Sequence, residues 1–483
     1  MDPIRLGAMD AAAPDLEESH DLVSPVTGEV LERIRLASRE EIAQEARRLA
    51  CGAGESSTED VFSFFRRLKE ELVSRRDLFI RMTIAETGFI VRDAEETVDS
   101  AIDFLSSFET FVEQPLHPEQ IIQHSYSSES RRSMRLTSRS FGVIAALVPQ
   151  NASLTLGITM IASALYAGSR ILLRPSLQTA CTGTLLGEAV AASNPPGGRV
   201  GIVNCLASRF LEACCRSEHV DVIHYVGSNQ HALSVLNQTF SAGKVCLLDG
   251  QGNGLLYVDD SVPVEEAARL ITEGATRFNG ETCTSVNGVL IEESMYPSLR
   301  AALVEAFAAL DVGNPFVSGT HVGPLFSERQ AQSLRRQMLE AQGGRILIGA
   351  DLGGAYFGPA IVEGVALEDP LVREGLFGPA IWIQPVRRGN LWSWMRGNRF
   401  PLSDTILSSR GDVIREFAGN SRAARVCVNA DPSVESMFEP WGGYPPGSLN
   451  PVSPWIEKYR QVYQLDGRLD EISTAGGNPG LHP

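Results

Sequence analysis

The stretch FGVIAALVPQNASLTLGITMIASALYAGSRILLRPS, residues 141–176, decides the fold. Two short apolar runs, 141–149 and 170–176, flank a helical pattern at 154–168, and Pro and Gly residues mark the boundaries between them. This order predicts a strand, a helix and a second strand. Because a helix is the usual crossover between parallel strands, the stretch predicts the start of an α/β fold.

The same alternation continues on the C-terminal side of this stretch. Apolar runs at 200–207, 221–228 and 245–252 carry it to about residue 250, which predicts a doubly wound, mostly parallel sheet of the kind that binds nucleotides. A second α/β stretch runs from about residue 255 to 430, in which apolar strands again alternate with helical patterns. The sequence therefore predicts two doubly wound α/β units.

On the N-terminal side the pattern is mainly helical. Two amphipathic helices are predicted between Ser38 and Arg76, with Ser38 as the cap of the first, and a third helix ends before Pro115. The polar segment near 121–141 alternates as an exposed strand or arm does, and the chain closes with another strand-like segment at 455–467. Together these two segments predict a small strand-rich oligomerisation segment.

Composition and charge exclude several classes of protein. The formal net charge of −17 argues against a nucleic-acid or anionic-membrane surface, because the field would repel phosphates. The 8 cysteines show neither a Cys-x-x-Cys pair nor zinc-ligand spacing, so neither a disulfide framework nor a metal site is predicted, and a reducing cytoplasm fits best. The first twenty residues lack the apolar core of a secretory signal, and no later run is long enough to span a bilayer.

The candidate nucleophile lies in the run FNGETCTSVNGVLIEESMY, residues 278–296. A lone cysteine is more often a buried small hydrophobic residue than a nucleophile. This run, however, resembles the nucleophile motif of the aldehyde dehydrogenase superfamily, in which Gly-Gln-x-Cys precedes a strand, and Cys283 stands at the position of the catalytic thiol. Glu281 replaces the usual Gln, and its negative charge would raise the thiol pKa if the two side chains face one another.

The resemblance extends from about residue 21 to 465. The opening stretch is similar to the family's strand, Pro-x-Asn turn, helix and second strand, and the segments 320–330 and 440–448 resemble further family signatures. The resemblance implies an aldehyde dehydrogenase-like α/β fold. It also implies the oxidation of a small-molecule aldehyde to a carboxylic acid with NAD or NADP, through a thiohemiacetal and a thioester on Cys283.

The family architecture suggests how the chain divides. We expect an NAD(P)-binding domain at 1–250, with 121–141 as its oligomerisation arm, and a catalytic domain at 251–435. The C-terminal segment 436–483 would complete the oligomerisation region. A homodimer or a dimer of dimers is expected.

The resemblance implies a cofactor site with unusual residues. Arg174 and Ser176 stand in the family's Lys-Pro-Ser-Glu position, and Leu177 replaces the Glu that usually binds the ribose hydroxyls. The loss of this carboxylate removes both a hydroxyl acceptor and the repulsion of a 2′-phosphate, and Arg174 can pair with such a phosphate, so we predict that NADP is accepted. Gly227 and Ser228, at a helix start, would lie beside the pyrophosphate.

The reacting end of the site also follows from the resemblance. Asn151 takes the oxyanion role, in which its amide and the backbone N–H of the nucleophile donate to the developing charge. Phe377 belongs to the motif that holds the nicotinamide ribose, although the second Glu of that motif is Gly375. The segment that normally carries the general-base Glu is irregular, and its alignment places either Asp249 or Leu248 at the base position. Asp249 is the candidate base.

Two alternatives remain open. The weakness of the base position is compatible with a coenzyme A-acylating aldehyde dehydrogenase or an acyl-thioester reductase. The departures in the cofactor and hydrolysis motifs are also compatible with a catalytically impaired binding or regulatory homologue.

Overall fold

The computed structural model of the protein describes residues 18–467 apart from 53–55, 113–119, 126–130, 350–351, 444 and 451. These residues form seventeen strands and fifteen α-helices. In chain order the strands are β1 (Ser19–Val23), β2 (Val30–Arg35), β3 (Gln120–Ser125), β4 (Arg131–Ser140), β5 (Val143–Leu147), β6 (Arg170–Arg174), β7 (Val200–Ile202), β8 (Val222–Val226), β9 (Val245–Asp249), β10 (Gly254–Val258), β11 (Val286–Glu292), β12 (Arg345–Ile348), β13 (Ala360–Glu363), β14 (Ala380–Val386), β15 (Ser403–Leu407), β16 (Arg425–Val428) and β17 (Arg460–Gly467). The helices are α1 (Arg39–Cys51), α2 (Thr58–Ser74), α3 (Arg76–Thr87), α4 (Val91–Val112), α5 (Ser153–Ala167), α6 (Ala180–Ala192), α7 (Ala207–Arg216), α8 (Asn229–Ser241), α9 (Val264–Thr276), α10 (Tyr296–Ala308), α11 (Glu328–Leu339), α12 (Pro370–Glu374), α13 (Arg388–Gly397), α14 (Gly411–Asn420) and α15 (Trp455–Lys458).

The opening stretch of the sequence forms the centre of a five-stranded parallel sheet, in the order β7-β6-β5-β8-β9. From β5 the chain runs outward through β6 and β7, and then returns to the other side of β5 to form β8 and β9. The turns after β5 and β8 therefore flank a topological switch point, where open α/β sheets bind their ligands. Asn151 follows β5, and Gly227 follows β8.

The second large sheet has seven strands in the order β12-β13-β14-β11-β10-β15-β16. All neighbouring strands are parallel except β12 and β13. The nucleophile candidate precedes β11, and Phe377 precedes β14, which pairs with β11. The predicted class, two doubly wound α/β units, is confirmed by these two sheets.

A three-stranded sheet forms from distant parts of the chain. The arm near 121–141 supplies β3 and β4, and the closing segment supplies β17, which runs antiparallel to β4 over its whole length. The predicted strands are present except at the start of the closing segment, where Trp455–Lys458 forms the helix α15 and the strand begins only at Arg460; residues 126–130 and 468–483 lie outside the described residues. A further pair, β1 and β2, forms an antiparallel ribbon.

The N-terminal helices agree with the local signals. Ser38 caps α1 through a capping box: its hydroxyl accepts from the Glu41 N–H at 3.2 Å, and the Glu41 carboxylate accepts from the Ser38 N–H at 2.9 Å. The sequence pattern did not predict helix α3, which ends at Gly88. This glycine adopts a left-handed conformation. In the described part of the chain, no helix combines the length and apolar character needed to cross a membrane.

Candidate active site

A cavity of about 750 Å³ collects most of the predicted site residues. The turns after β5 and β8 line one side, and the loop before β11 lines another. Its walls include Asn151, Arg174, Ser176, Gly227, Ser228, Cys283 and Phe377. A cavity of this size accommodates a cofactor together with a small substrate.

The backbone that leads to the candidate nucleophile, Cys283, is strained and firmly held. Phe278 and Asn279 adopt φ angles of 52° and 55°, a left-handed conformation that costs energy for residues other than glycine. The Phe278 N–H donates to the Asp93 carboxylate at 2.8 Å, which secures the turn. The buried Asn279 amide donates to the carbonyls of Gly88 and Pro324 at 3.0 Å and accepts from the Gly323 N–H at 2.9 Å.

A glycine lets the neighbouring loop approach the nucleophile closely. Gly252 has a φ of +70°, and a Cβ at this position would lie 2.1 Å from the Cys283 carbonyl oxygen. No other residue fits there without moving the backbone. The glycine-rich string after β9 is therefore a packing feature against the nucleophile loop.

The Cys283 thiol is protonated in the resting protein. Desolvation by the surrounding protein raises the pKa of the thiol well above its usual value, and the negative charge of Glu435 adds to this rise. The thiol is partly exposed, and the accessible part faces the cavity. A reaction at Cys283 therefore requires that the proton be removed as the substrate binds.

Burial disfavours the charged form of Glu281. Its side chain is 1% exposed, and burial raises the pKa of its carboxyl well above the usual value. One carboxyl oxygen accepts from the Phe326 N–H at 3.3 Å, and the other has no partner in the described part of the chain. This shift weakens the expected effect of a Glu281 charge on the thiol.

Asn151 lies in a short 3-10 turn between β5 and α5. Its side chain lines the cavity and makes no hydrogen bond to the described residues. The amide is therefore available to a ligand, as an oxyanion donor must be.

Arg174 is a buried cation without a counter-ion among the described residues. It is 9% exposed, and its Nε donates to the Cys205 carbonyl at 2.9 Å. Burial lowers the pKa of the guanidinium, the direction expected when no anion balances its charge. Ser176 lies beside it on the cavity wall, whereas Leu177 packs into a separate apolar cluster under β1 and β2. No carboxylate therefore replaces the missing ribose ligand at that position.

The turn after β8 forms a close-fitting cradle. A Cβ on Gly227 would lie 2.6 Å from the Tyr225 hydroxyl oxygen, so only glycine leaves room there. Ser228 is the N-cap of α8, and its side chain makes no capping hydrogen bond. Gly227, Ser228 and His231 line the cavity, so the N-terminal end of α8 borders it, as a phosphate-binding helix end must.

The motif before β14 contributes one wall of the cavity. Phe377 lines it, and the Phe377 carbonyl accepts from the Gln330 side chain. At Gly375 a Cβ would lie 2.6 Å from a neighbouring asparagine oxygen, so the family's carboxylate has no room. Glu374 cannot substitute, because it lies at the surface in an ion pair with Arg399 at 2.7 Å.

The structure does not bring Asp249 into the cavity. The carboxylate is fully buried and accepts from Ser448 Oγ at 3.0 Å, Asn450 Nδ2 at 2.8 Å and His224 Nε2 at 3.2 Å. Three donors leave little capacity for a reacting water. Leu248, the alternative at this position, is buried in an apolar cluster. Asp249 anchors the C-terminal segment to β9, and its assignment as the base finds no support in these contacts.

Two groups near the site carry no motif that would reveal them in the sequence. Glu435 lines the cavity and acts on the Cys283 thiol, although it lies in the loop after β16. The Tyr459 hydroxyl lies 2.8 Å from Nδ1 of His224. This contact connects Tyr459 to the hydrogen-bond network around Asp249. Burial lowers the pKa of His224, so the neutral ring donates through Nε2 to the carboxylate and accepts at Nδ1.

Comparison with known proteins agrees with this geometry. A model of the aldehyde dehydrogenase family matches residues 12–451. The chain is 24% identical over 374 residues to 3-sulfolactaldehyde dehydrogenase of Priestia aryabhattai, covering 76% of this chain and 77% of that one. It is 23% identical over 442 residues to lactaldehyde dehydrogenase of Methanococcus vannielii, covering 89% and 92% respectively.

Solved structures share the fold. The chain is similar to the NADP complex of glyceraldehyde-3-phosphate dehydrogenase from Methanocaldococcus jannaschii, with a TM-score of 0.83 at 21% identity over 94% of this chain and 99% of that one. It is also similar to betaine aldehyde dehydrogenase from Staphylococcus aureus in complex with NAD+, with a TM-score of 0.85 and 18% identity. This match covers 93% of this chain and 91% of that one. Since the family model spans most of the chain, this protein belongs to the aldehyde dehydrogenase family, and its activity is the NAD(P)-dependent oxidation of an aldehyde.

Proposed function

We propose that Cys283 is the nucleophile of this oxidation and that Asn151 stabilises the oxyanion. The observation that carries the proposal is that both side chains line the same cavity as the unpaired Arg174. The cavity wall therefore offers a thiol and an amide donor together with a cation and a helix N-terminus. This combination fits a dinucleotide whose phosphates bind far from its reacting ring.

The residues present fit the cofactor. Arg174 and Ser176 would hold the adenosine end, the backbone at Gly227 and Ser228 the pyrophosphate, and Phe377 the nicotinamide end. When bound, the cofactor supplies the hydride acceptor.

The side chains account for the chemistry as follows. The Cys283 thiol loses its proton to solvent as the substrate binds, and the resulting thiolate forms a bond to the aldehyde carbon, so that the carbonyl oxygen becomes an oxyanion. Asn151 donates to this oxyanion through its amide. Loss of hydride from the carbon restores the carbonyl and leaves a thioester on Cys283. Hydrolysis of the thioester then releases the carboxylic acid and the thiol.

The proposal is tested by rapid mixing of the protein with cofactor and a panel of aldehydes, while the absorbance of reduced nicotinamide and the mass of the acylated protein are followed. Aldehyde-dependent reduction with a thioester on Cys283 is expected. An acyl-protein that persists until coenzyme A is added would instead identify the coenzyme A-acylating alternative. Cofactor binding without any reduction would identify the regulatory alternative.

We propose further that the protein accepts NADP at least as well as NAD, because Arg174 reads the 2′-phosphate. A phosphate would supply the counter-ion that the buried guanidinium lacks. We expect Arg174→Ala to weaken NADP binding by roughly 1 to 3 kcal/mol, the scale of a charge-assisted contact, and to affect NAD less. Calorimetric titration of both nucleotides measures this difference.

Arg170→Ala is the matched control for this titration. Arg170 begins the same strand that Arg174 ends, and it does not line the cavity. Its loss should leave both affinities within a few fold. Equal losses of NAD and NADP in Arg174→Ala, or a strong preference of the wild type for NAD, would contradict the assignment.

We propose that the protein is a homodimer or a dimer of dimers. The sheet of β3, β4 and β17 leaves unpaired strand edges, and Val462 on β17 is 68% exposed. Light scattering at micromolar concentration should give a multiple of the 52.3 kDa chain mass. A species of the single chain mass alone would refute this prediction.

We also propose the division into an NAD(P)-binding domain at 1–250, a catalytic domain at 251–435 and a C-terminal segment at 436–483. The placement of the two large sheets supports this division.

A reducing cytoplasmic location is proposed because all 8 cysteines are free.

A further inference from the structure

We propose that Glu435 is a catalytic residue, the general base that activates water to hydrolyse the thioester on Cys283. This role rests on the proposed function, since it requires an acyl group on that cysteine. In this role Glu435 would replace the family's general-base glutamate, whose aligned position holds Asp249 or Leu248 in this chain.

The candidates closer to the expected base position are unsuited to the role. Asp249 is fully buried, and its carboxylate already accepts three hydrogen bonds. Leu248 carries no titratable group, and Gln251, which lines the cavity, has an amide that cannot take a proton from water. Glu281 is buried and does not line the cavity, and burial raises the pKa of its carboxyl, so it is poorly placed to take a proton from a water in the cavity.

The loop after β16 holds Glu435 at the cavity wall. Arg425, on β16, donates from its two terminal nitrogens to the carbonyls of Pro432 and Val434, each at 2.7 Å. These bonds fix the backbone immediately before Glu435. The Glu435 side chain lines the cavity, and 34% of it is accessible, so a water molecule can reach the carboxylate.

Glu435 and the nucleophile belong to one electrostatic site. After desolvation, the charge of Glu435 is the largest cause that raises the pKa of the Cys283 thiol. The hydroxyl of Thr284, which follows Cys283 in the chain, lowers the pKa of the Glu435 carboxyl. Because Glu435 and Cys283 line the same cavity, the carboxylate is placed to act on a water beside the thioester carbon.

The acid–base properties of Glu435 suit this task. Surrounding protein desolvates the carboxyl and raises its pKa to about 7, close to the value that is best for a general base at neutral pH. The ionised form therefore becomes dominant as the pH rises above about 7. The groups that face the carboxyl are the Thr284 hydroxyl, Arg425, Glu439, Asp431 and the Cys283 thiol.

The hydrolytic step balances without a further reactant. The water oxygen forms a bond to the thioester carbon while the Glu435 carboxylate takes one proton from that water. The tetrahedral intermediate collapses by breaking the carbon–sulfur bond, which releases the carboxylic acid and the Cys283 thiolate. Glu435 then returns its proton to solvent.

The test uses 4-nitrophenyl acetate, which acylates a thiol without the cofactor or an aldehyde. In wild type, we expect a burst of 4-nitrophenolate stoichiometric with Cys283, followed by steady turnover. In Glu435→Gln, we expect the same burst amplitude, an acetyl adduct on Cys283 that persists in the mass spectrum, and turnover about 100-fold slower or more. The wild-type steady rate should rise with pH through about 7, and this rise should disappear in the variant.

Two further measurements separate a base from a structural residue. Hydroxylamine attacks a thioester without a general base, so it should release the acetyl group from Glu435→Gln at a rate close to that of wild type. Glu439→Gln is the matched control, because it removes a carboxylate of the same loop that pairs with Arg425 at 3.2 Å. Its steady rate at high pH should stay within a few fold of wild type, and its pH profile should move to lower pH, because the charge of Glu439 raises the pKa of Glu435.

Several outcomes would overturn the proposal. Unchanged turnover in Glu435→Gln would remove the residue from hydrolysis, and so would an equal fall in burst and turnover in both Glu435→Gln and Glu435→Asp. Slow turnover that hydroxylamine does not accelerate would assign Glu435 a structural role. A wild type that forms the acetyl adduct and hydrolyses it but never reduces the cofactor with any aldehyde would contradict the proposed oxidation alone.

Discussion

The Cys283→Ser variant should lose steady-state aldehyde oxidation, by on the order of 10⁴-fold or more, while its affinity for the cofactor stays within a few fold of wild type. The physical reason is that the sulfur acts in chemistry and contributes little to nucleotide binding. A serine hydroxyl at this site would be far harder to ionise than the thiol, whose own pKa the cavity already raises. Initial rates with an aldehyde, together with calorimetry of NAD and NADP, measure the two effects separately.

Cys51→Ser is the control for this experiment. Cys51 is an exposed cysteine at the end of α1 and does not line the cavity. It should retain full activity, and its thermal unfolding should match that of wild type. If Cys283→Ser kept most of its activity, the nucleophile would have to be sought elsewhere.

The second large effect is expected at the oxyanion donor. Asn151→Ala should lower turnover by about 100-fold or more, since one preorganised donor in a desolvated site contributes this much to the transition state. Its amide makes no hydrogen bond to the described residues, so its removal leaves no protein partner unsatisfied there. The free energy of unfolding should therefore change little.

Asn151→Asp extends this test because it keeps the shape of the side chain and removes both donors. An ionised carboxylate would also repel the oxyanion, so the loss of turnover should at least equal that of Asn151→Ala. Single-turnover hydride transfer, measured alongside thermal unfolding, isolates the chemical step. An effect on the Michaelis constant alone would assign Asn151 to substrate positioning.

The sequence by itself determined the fold and identified the candidate reacting groups. Each element of the strand–helix–strand at 141–176 has its own local sequence signal. In the five-stranded sheet β5 pairs in parallel with β6 on one side and with β8 on the other. Cys283 and Asn151 were also predictable, because each lies within a motif whose neighbours form a strand or a turn. Arg174 was predicted at the cofactor end for the same reason, since a strand terminus places it at the sheet's carboxyl edge.

The tertiary structure decided which acidic groups can react. Asp249 lies in a short segment that aligns with the family's base, but Ser448, 199 positions away, and other distant residues bury its carboxylate in a saturated network. In the sequence Glu281 is a new charge beside the candidate nucleophile, yet burial raises the pKa of its carboxyl and disfavours that charge. Glu435 has no motif, and only the packing of the loop after β16 brings it to the thiol. Whether an acidic side chain is protonated depends on its desolvation, and whether it lies in the site depends on contacts between distant segments. A local sequence pattern contains neither kind of information.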